Sequence, residues 1–188
     1  GQTVLHRAPN KSSKGKTRQL GDGQTMANKL GIPVVYDFRT NDISEGGQGA
    51  PLCPIYHAAL LKKIGVTSTT AILNLGGLGN LSCYSEKYDL IAFDTGPANA
   101  PVNDWIKSFN LGQMDIGGEI AARGKVDECK LAEILNDPYF EVSFPKSLDR
   151  FDFSYKIAEG MSLEDGAATL TALVGASVGK GLDLLPIR

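Results

Sequence analysis

Long apolar runs, paired cysteines and a concentrated basic surface are all missing from this sequence. No stretch approaches the roughly 20 apolar residues that a membrane-spanning helix needs, and no signal peptide opens the chain, so no membrane partner is expected. The three cysteines, Cys53, Cys83 and Cys129, lie far apart, make no CxxC pair and have no histidine at ligand spacing. A metal site is therefore not expected, and a reducing, cytoplasmic compartment fits. The formal net charge is -2 with lysines and arginines spread along the chain, which disfavours nucleic acid and other polyanionic partners. One basic cluster, KSSKGKTR at residues 11–18, reads as a solvated loop. Internal repeats are absent, and so is an initiator methionine; both ends read as cut from something longer.

What remains is ordinary globular composition: 188 residues, 42% apolar and 21% charged, enough for one core or two small ones. Residues 2–6 alternate as a short strand beside TRQLG. Met26, Ala27 and Leu30 are spaced for a helix that Gly31 and Pro33 close. IPVVYDF, residues 32–38, is rich in β-branched and aromatic residues and predicts a buried strand that delivers Asp37, Arg39 and Asp42 to the glycine-rich loop SEGGQGAP. Pro51 is placed to open a helix running through His57 to Lys63. AILNL, LSCYS and DLIAFDT then read as three strands joined by the tight turns GGLGN and EKYD. With no helix among them, an antiparallel meander is predicted in place of a βαβ crossover. Helices are expected around Asn103–Phe109, near Gly118–Arg123 and across Val126–Leu135, where DPYF stops the last. A long final helix opens on Ser162 as N-cap with Asp165 three residues on, buries a stripe of Leu163, Ala167, Leu170 and Val174, and is weakened by Gly175, Gly179 and Gly181.

Chemistry concentrates at few places. Asp94 ends an apolar strand just before a glycine and a helix start, where partial desolvation raises a carboxylate toward the pKa of a general base. The competing reading makes Asp94 or Thr95 the N-cap of that helix. GGLGN lacks the GxGxxG spacing and a following helix, so it is either a plain turn or a hairpin that touches phosphate. Asp37, Arg39 and Asp42 form either a polar ligand site around the GGQG loop or an internal ion pair. His6 and His57 are too isolated to suggest a metal or a relay, and Lys146, near Ser147 and Arg150, either holds an anion or lies in a solvated loop.

Taken in order, GQTVLH, QLGDG, GIPVVYDFR with its following Asp42, GGQGAPL, LNLGGLGNLS, AFDTGPANA, DPYF and PKSLDR resemble the anhydro-N-acetylmuramic acid kinases of bacteria, and most closely an alphaproteobacterial branch. The resemblance runs from residue 1 to about residue 175. It implies an α/β actin and hexokinase-like (ribonuclease H-like) sugar kinase fold, with a mixed sheet that begins as an antiparallel meander. The two-lobe structure would be incomplete here: residues 1–66 would be the remainder of the N-terminal lobe and interlobe segment, and residues 67–188 the first part of the C-terminal lobe. The implied reaction uses ATP, Mg²⁺ and water to open a 1,6-anhydro ring and phosphorylate the freed oxygen, giving N-acetylmuramic acid 6-phosphate in cell-wall recycling. Asp94 would be the base. Arg39, Asp42 and Asn99 would serve the sugar, Asn99 by supporting Asp94, and Asn74, Gly76, Gly77 and Asn80 the phosphates. The family's opening phosphate loop and its nucleotide-side glycine segment would lie outside this stretch, and a homodimer is left open. Ala98, Pro101 and Asn103 depart from the family pattern, with Pro101 expected to disturb Asn99 and Asp104. The alternatives are a catalytically inactive sugar-binding fragment, or another sugar or acetate kinase of the same superfamily.

Overall fold

Two antiparallel sheets organise the described residues. The computed structural model describes residues 2–9, 12–65, 70–85 and 89–186. In the first sheet, β1 (Gln2–Arg7) pairs with β2 (Lys16–Leu20). Part of the basic cluster expected to be loop is therefore strand. The helix α1 (Gly23–Leu30) follows, with the Asp22 carboxylate accepting from the backbone N–H groups of Gln24 and Thr25 and Gly31 closing the helix in a left-handed conformation.

Residues 32–37 do not form the predicted strand. Asp37 adopts φ 58° and ψ 48°, which breaks the extended run, and the chain winds at once into α2 (Phe38–Ser44). Val35, Tyr36 and Phe38 are exposed instead of buried. β-branched composition describes a side chain suited to a pleated surface, but it supplies no neighbouring strand. Arg39 and Asp42 thus lie on a helix and not on a strand-end loop. The next helix, α3 (Pro54–Lys63), begins at Pro54 and not at Pro51, with Pro54 in the first turn where its missing N–H costs nothing.

The second sheet is the predicted meander: β3 (Ala71–Leu75), β4 (Leu78–Ser85) and β5 (Asp89–Pro97), in the order β3-β4-β5 and antiparallel throughout. The β3–β4 turn shrinks to Gly76 and Gly77, because Leu78, Gly79 and Asn80 already belong to β4. The EKY part of the other predicted turn lies outside the described residues.

After the meander, α4 (Asn99–Ser108) starts four residues earlier than the spacing suggested. Pro101 falls in its first turn, where backbone N–H groups have no intrahelical acceptor, so the helix forms undisturbed. Ala98, which precedes the helix, has φ −132° and ψ −118°, a backbone that is neither helical nor extended. The helix predicted near Gly118–Arg123 is replaced by two 3₁₀ turns, Ile116–Gly118 and Ala121–Arg123; Gly117 and Gly118 both take positive φ, which an α-helix cannot accommodate. The amphipathic helix α5 is shorter than expected, Glu128–Leu135, capped by Asp127.

The last helix, α6 (Leu163–Asp183), has Ser162 as its N-cap, the hydroxyl accepting from Asp165 N–H. Its buried face is broader than predicted, holding Ala167, Leu170, Leu173 and Ser177 while Leu163 and Val174 are half-buried. It lies directly on β5. A Cβ at Gly96 would come within 2.6 Å of Ser177 Cβ, and one at Gly181 within 2.6 Å of Thr95 Cγ2. Gly181 thus permits close helix–sheet packing and does not loosen the helix.

Three apolar clusters result. Leu81, Cys83, Ile91, Phe93 and Leu185 pack around the sheet. Trp105, Ile106, Ala158, Ala167 and Leu170 join α4 to α6. Phe140, Leu148 and Phe153 seal the loops beneath β5. All three consist of residues from β4 onward, and this is the part of the molecule that carries Asp94.

Candidate active site

The meander's register sets one row of polar side chains. Asn74 of β3 pairs with Asn80 of β4, and Asn80 pairs with Asp94 of β5. Residues directly opposite one another in adjacent strands point to the same face of a sheet. Asn74, Asn80 and Asp94 accordingly line one cleft of about 500 Å³, together with Gly76 and Gly77 from the hairpin turn. The β4–β5 register shifts between Gly79 and Asn80, and this bulge brings Asn80 opposite Asp94.

The far wall comes from the first part of the chain and from a late loop. It includes Leu5 and His6 of β1, Arg39 of α2, Pro51 and Cys53 before α3, and Leu148 to Phe151. Arg39 donates to the carbonyl of Gly49 and Asp42 accepts from Gly49 N–H at 2.7 Å, so together they lock the GGQG loop that borders the cleft. Of the two readings of the Asp37, Arg39 and Asp42 group, the internal ion pair is not what forms. Among the described residues these three make no ion pair with one another, and Asp37 bonds Thr40. Arg39 faces the cleft, whereas Asp42 stands behind the loop.

Asp94 is 4% exposed. It does not cap α4, whose N-cap is Ala98 without a side-chain hydrogen bond. Its Oδ2 accepts from Leu148 N–H at 3.0 Å. Burial pushes its pKa up to about 6, against the smaller lowering effects of the Leu148 hydrogen bond and the Arg39 charge. A carboxylate in this state is ionised at neutral pH yet far more basic than a solvated one, which is the compromise a general base requires.

The backbone of Asp94 is held as firmly as its side chain. Its N–H donates to the Lys146 carbonyl at 3.1 Å, and its carbonyl accepts from the Tyr139 hydroxyl. Lys146 is neither on a solvated loop nor free to hold an anion. Its ammonium is buried, donates to the Tyr139 carbonyl at 2.9 Å, and sits 4.4 Å from the centre of the Tyr139 ring. Burial lowers its pKa to about 8. Arg150 is taken up by Asp104, and Arg7 by Asp149.

Asn99 lies away from this lining. Its side-chain amide donates to the Leu75 carbonyl at 3.0 Å and its backbone N–H to the Gly76 carbonyl, so it pins the hairpin turn and does not touch Asp94. Three contributors were not visible in the sequence. Leu148 acts through its backbone, which no side-chain pattern reveals. Tyr139 acts across 45 positions of chain separation, and only its place beside the turn-forming DP pair marked it. His6, set aside as isolated, is a cleft residue.

A buried carboxylate of raised pKa at a strand end, facing a cleft walled by polar groups and a glycine turn, marks the candidate site of this α/β protein. A family model described as anhydro-N-acetylmuramic acid kinase matches residues 1–182, and the chain belongs to that family. It is 57% identical over 188 residues to the anhydro-N-acetylmuramic acid kinase of Rhizobium rhizogenes, covering 100% of this chain and 51% of that relative. Identity to the enzyme of the same name from Brucella anthropi is 58% over 188 residues, again 100% and 51% of the two chains. The anhydro-N-acetylmuramic acid kinase 2 of Jannaschia sp. is 54% identical over 188 residues, covering 100% and 50%. The chain spans about half the length of the curated relatives it matches. The resemblance read from the motifs is borne out.

Proposed function

We propose that this chain carries the base-bearing part of a cytoplasmic anhydro-N-acetylmuramic acid kinase, with the 1,6-anhydro amino sugar and ATP as substrates. The observation that carries the reading is the buried, raised-pKa carboxylate of Asp94 facing the cleft. Asp94 takes a proton from a water whose oxygen attacks the anomeric carbon. The bond from that carbon to the bridging oxygen breaks, and this oxygen accepts the γ-phosphoryl group of ATP. The products are N-acetylmuramic acid 6-phosphate and ADP, and the proton on Asp94 passes to solvent.

Water is a poor nucleophile, so both deprotonation and fixed geometry are needed. The Leu148 N–H holds one carboxylate oxygen, leaving the other for the water. Gly76 and Gly77, with Asn74 and Asn80 beside them, present backbone and amide donors suited to phosphate oxygens. Arg39 and Asp42 set the GGQG border on the sugar side, and Asn99 keeps the phosphate turn in place. The finer architecture, an actin and hexokinase-like fold with lobes meeting near residue 66, fits a cleft whose walls come from both sides of that boundary.

Among the described residues, no three acidic, histidine or cysteine side chains gather as a metal cage. The cleft's carboxylates are Asp94 and Asp149, and Asp149 is already paired with Arg7. The donor set therefore fits Mg²⁺ only as an ion brought by the nucleotide and held mainly by phosphate and water, and none of the steps above is assigned to protein ligation of it.

The test is Asp94→Asn in the intact enzyme, with ADP release followed in the presence of the anhydro sugar. Turnover should fall by about 10²–10⁴. Activity within a few-fold of the unsubstituted enzyme would remove Asp94 as the base.

A further inference from the structure

His6 is 7% exposed, and both of its ring nitrogens are buried without a hydrogen-bond partner. An imidazole carries two polar nitrogens, and leaving them unpaired in a protein interior forfeits their hydration with nothing in return. A fold that needed only volume at this position would be served better by an apolar ring.

The surroundings show why the residue is more than a filler. His6 lines the same cleft as Asp94 and Arg39, on the wall opposite the meander. The GGQG loop presses against it: a Cβ on Gly49 would lie 3.2 Å from His6 Cε1. Gly49 is also the residue that Arg39 and Asp42 hold by its two backbone groups. The ring is thus clamped from the loop side. A half-turn about its Cβ–Cγ bond exchanges Nδ1 with Cδ2 and Nε2 with Cε1 without altering the ring's outline, so a nitrogen can replace a ring carbon with little change in packing.

We propose that His6 is a specificity-determining residue of the cleft, hydrogen-bonding an uncharged hydroxyl or amide group of the bound sugar. The inference rests on the sugar-kinase reading given above. The charge state favours an uncharged partner. Burial first, and then the Arg39 and Arg7 charges, lower the His6 pKa, opposed by Asp149 and Asp152, so the ring is neutral at pH 7. A neutral imidazole offers one donor and one acceptor, which matches a hydroxyl group, itself both donor and acceptor. A carboxylate or phosphate, being acceptor-only, would leave the ring's lone pair unmatched.

The experiment measures calorimetric binding of 1,6-anhydro-N-acetylmuramic acid, N-acetylglucosamine and glucose to the intact enzyme without nucleotide, alongside thermal unfolding. His6→Phe should weaken the preferred sugar by about 10–100-fold while the melting temperature holds or rises, because an unpaired buried polar group has been removed. His6→Gln, which keeps a donor and an acceptor, should recover most of the affinity. Unchanged affinity in His6→Phe overturns the proposal, as does a loss that tracks a fall in melting temperature. Should either variant fail to fold, ¹⁵N shifts of the His6 ring in the unsubstituted enzyme decide: they should move on saturation with sugar, and constancy overturns the proposal. Binding of a different sugar that still depends on His6 would overturn the anhydro-sugar assignment alone. Binding of none of the three would overturn both.

Discussion

Phe93 and Phe38 carry the same side chain under opposite conditions. Phe93, at the centre of the meander, is 0% exposed and stacks on Phe144 at a ring separation of 5.7 Å. Phe38, at the start of α2, is 63% exposed, and Leu30, Ile32, Val35, Ile55 and Tyr56 around it in sequence are exposed as well. The difference is one of coverage. Three strands with α6 laid across them close over their apolar face, whereas a two-stranded sheet with three short helices cannot. The cleft lies along the seam between these regions. Asp94 therefore stands on the well-packed side, where its orientation is fixed, and the less covered side contributes His6 and Arg39.

The sharpest way to break that contrast is to empty the packed side. Phe93→Ala should cost about 3–5 kcal/mol, read from denaturant midpoints, because the surrounding Leu81, Cys83, Ile91 and Leu185 are locked between sheet and helix and cannot collapse into the space. A cost below about 1 kcal/mol would mean that the meander and α6 do not form one cooperative core.

Burial on the packed side also has a cost, and Asp94 bears it. Its pKa rises from 3.8 to about 6 in the folded protein, so the folded state holds the proton more tightly than the unfolded state. The stabilising contribution of the protonated form is complete below about pH 4 and is lost as pH rises through about 6, a change of about 3 kcal/mol. Asp94→Asn has no such titration. The stability gained by this substitution should therefore grow by about 3 kcal/mol between about pH 4 and pH 7 while activity falls. Melting temperatures of both proteins across that range give the difference directly, and a difference independent of pH would show that the carboxyl group is not desolvated.

How far the sequence disclosed this arrangement depended on whether the signal was local. Gly31 and Ser162 mark helix ends through their own backbone or side chain, and both were legible. The meander was legible because three apolar runs separated by short turns leave no length for a crossover. Asp94 could be singled out as a candidate base, but its alternative role as an N-cap fell only when its carboxylate was seen on Leu148 N–H, 54 residues away. The segment 32–38 misled because its composition suits a strand while its fate depended on a partner strand and on the backbone of Asp37. Near Gly118, a helical reading of the spacing overlooked two adjacent glycines with positive φ. The row of Asn74, Asn80 and Asp94 needed a bulge at Gly79 and Asn80, and no residue pattern announces a bulge.

The smallest effect belongs to the exposed side and completes the comparison. Phe38→Ser on this chain removes an aromatic ring that is already largely in water, so little transfer free energy is lost. Phe38 is also the first residue of α2, where serine has no steric objection to the backbone and the early N–H groups lack intrahelical acceptors in either protein. Stability should stay within about 0.5 kcal/mol, and solubility should rise as an apolar patch shrinks. A loss approaching that of Phe93→Ala would mean that the Phe38 ring is covered in solution. The two regions would then differ in what packs on them, and not in how well they pack.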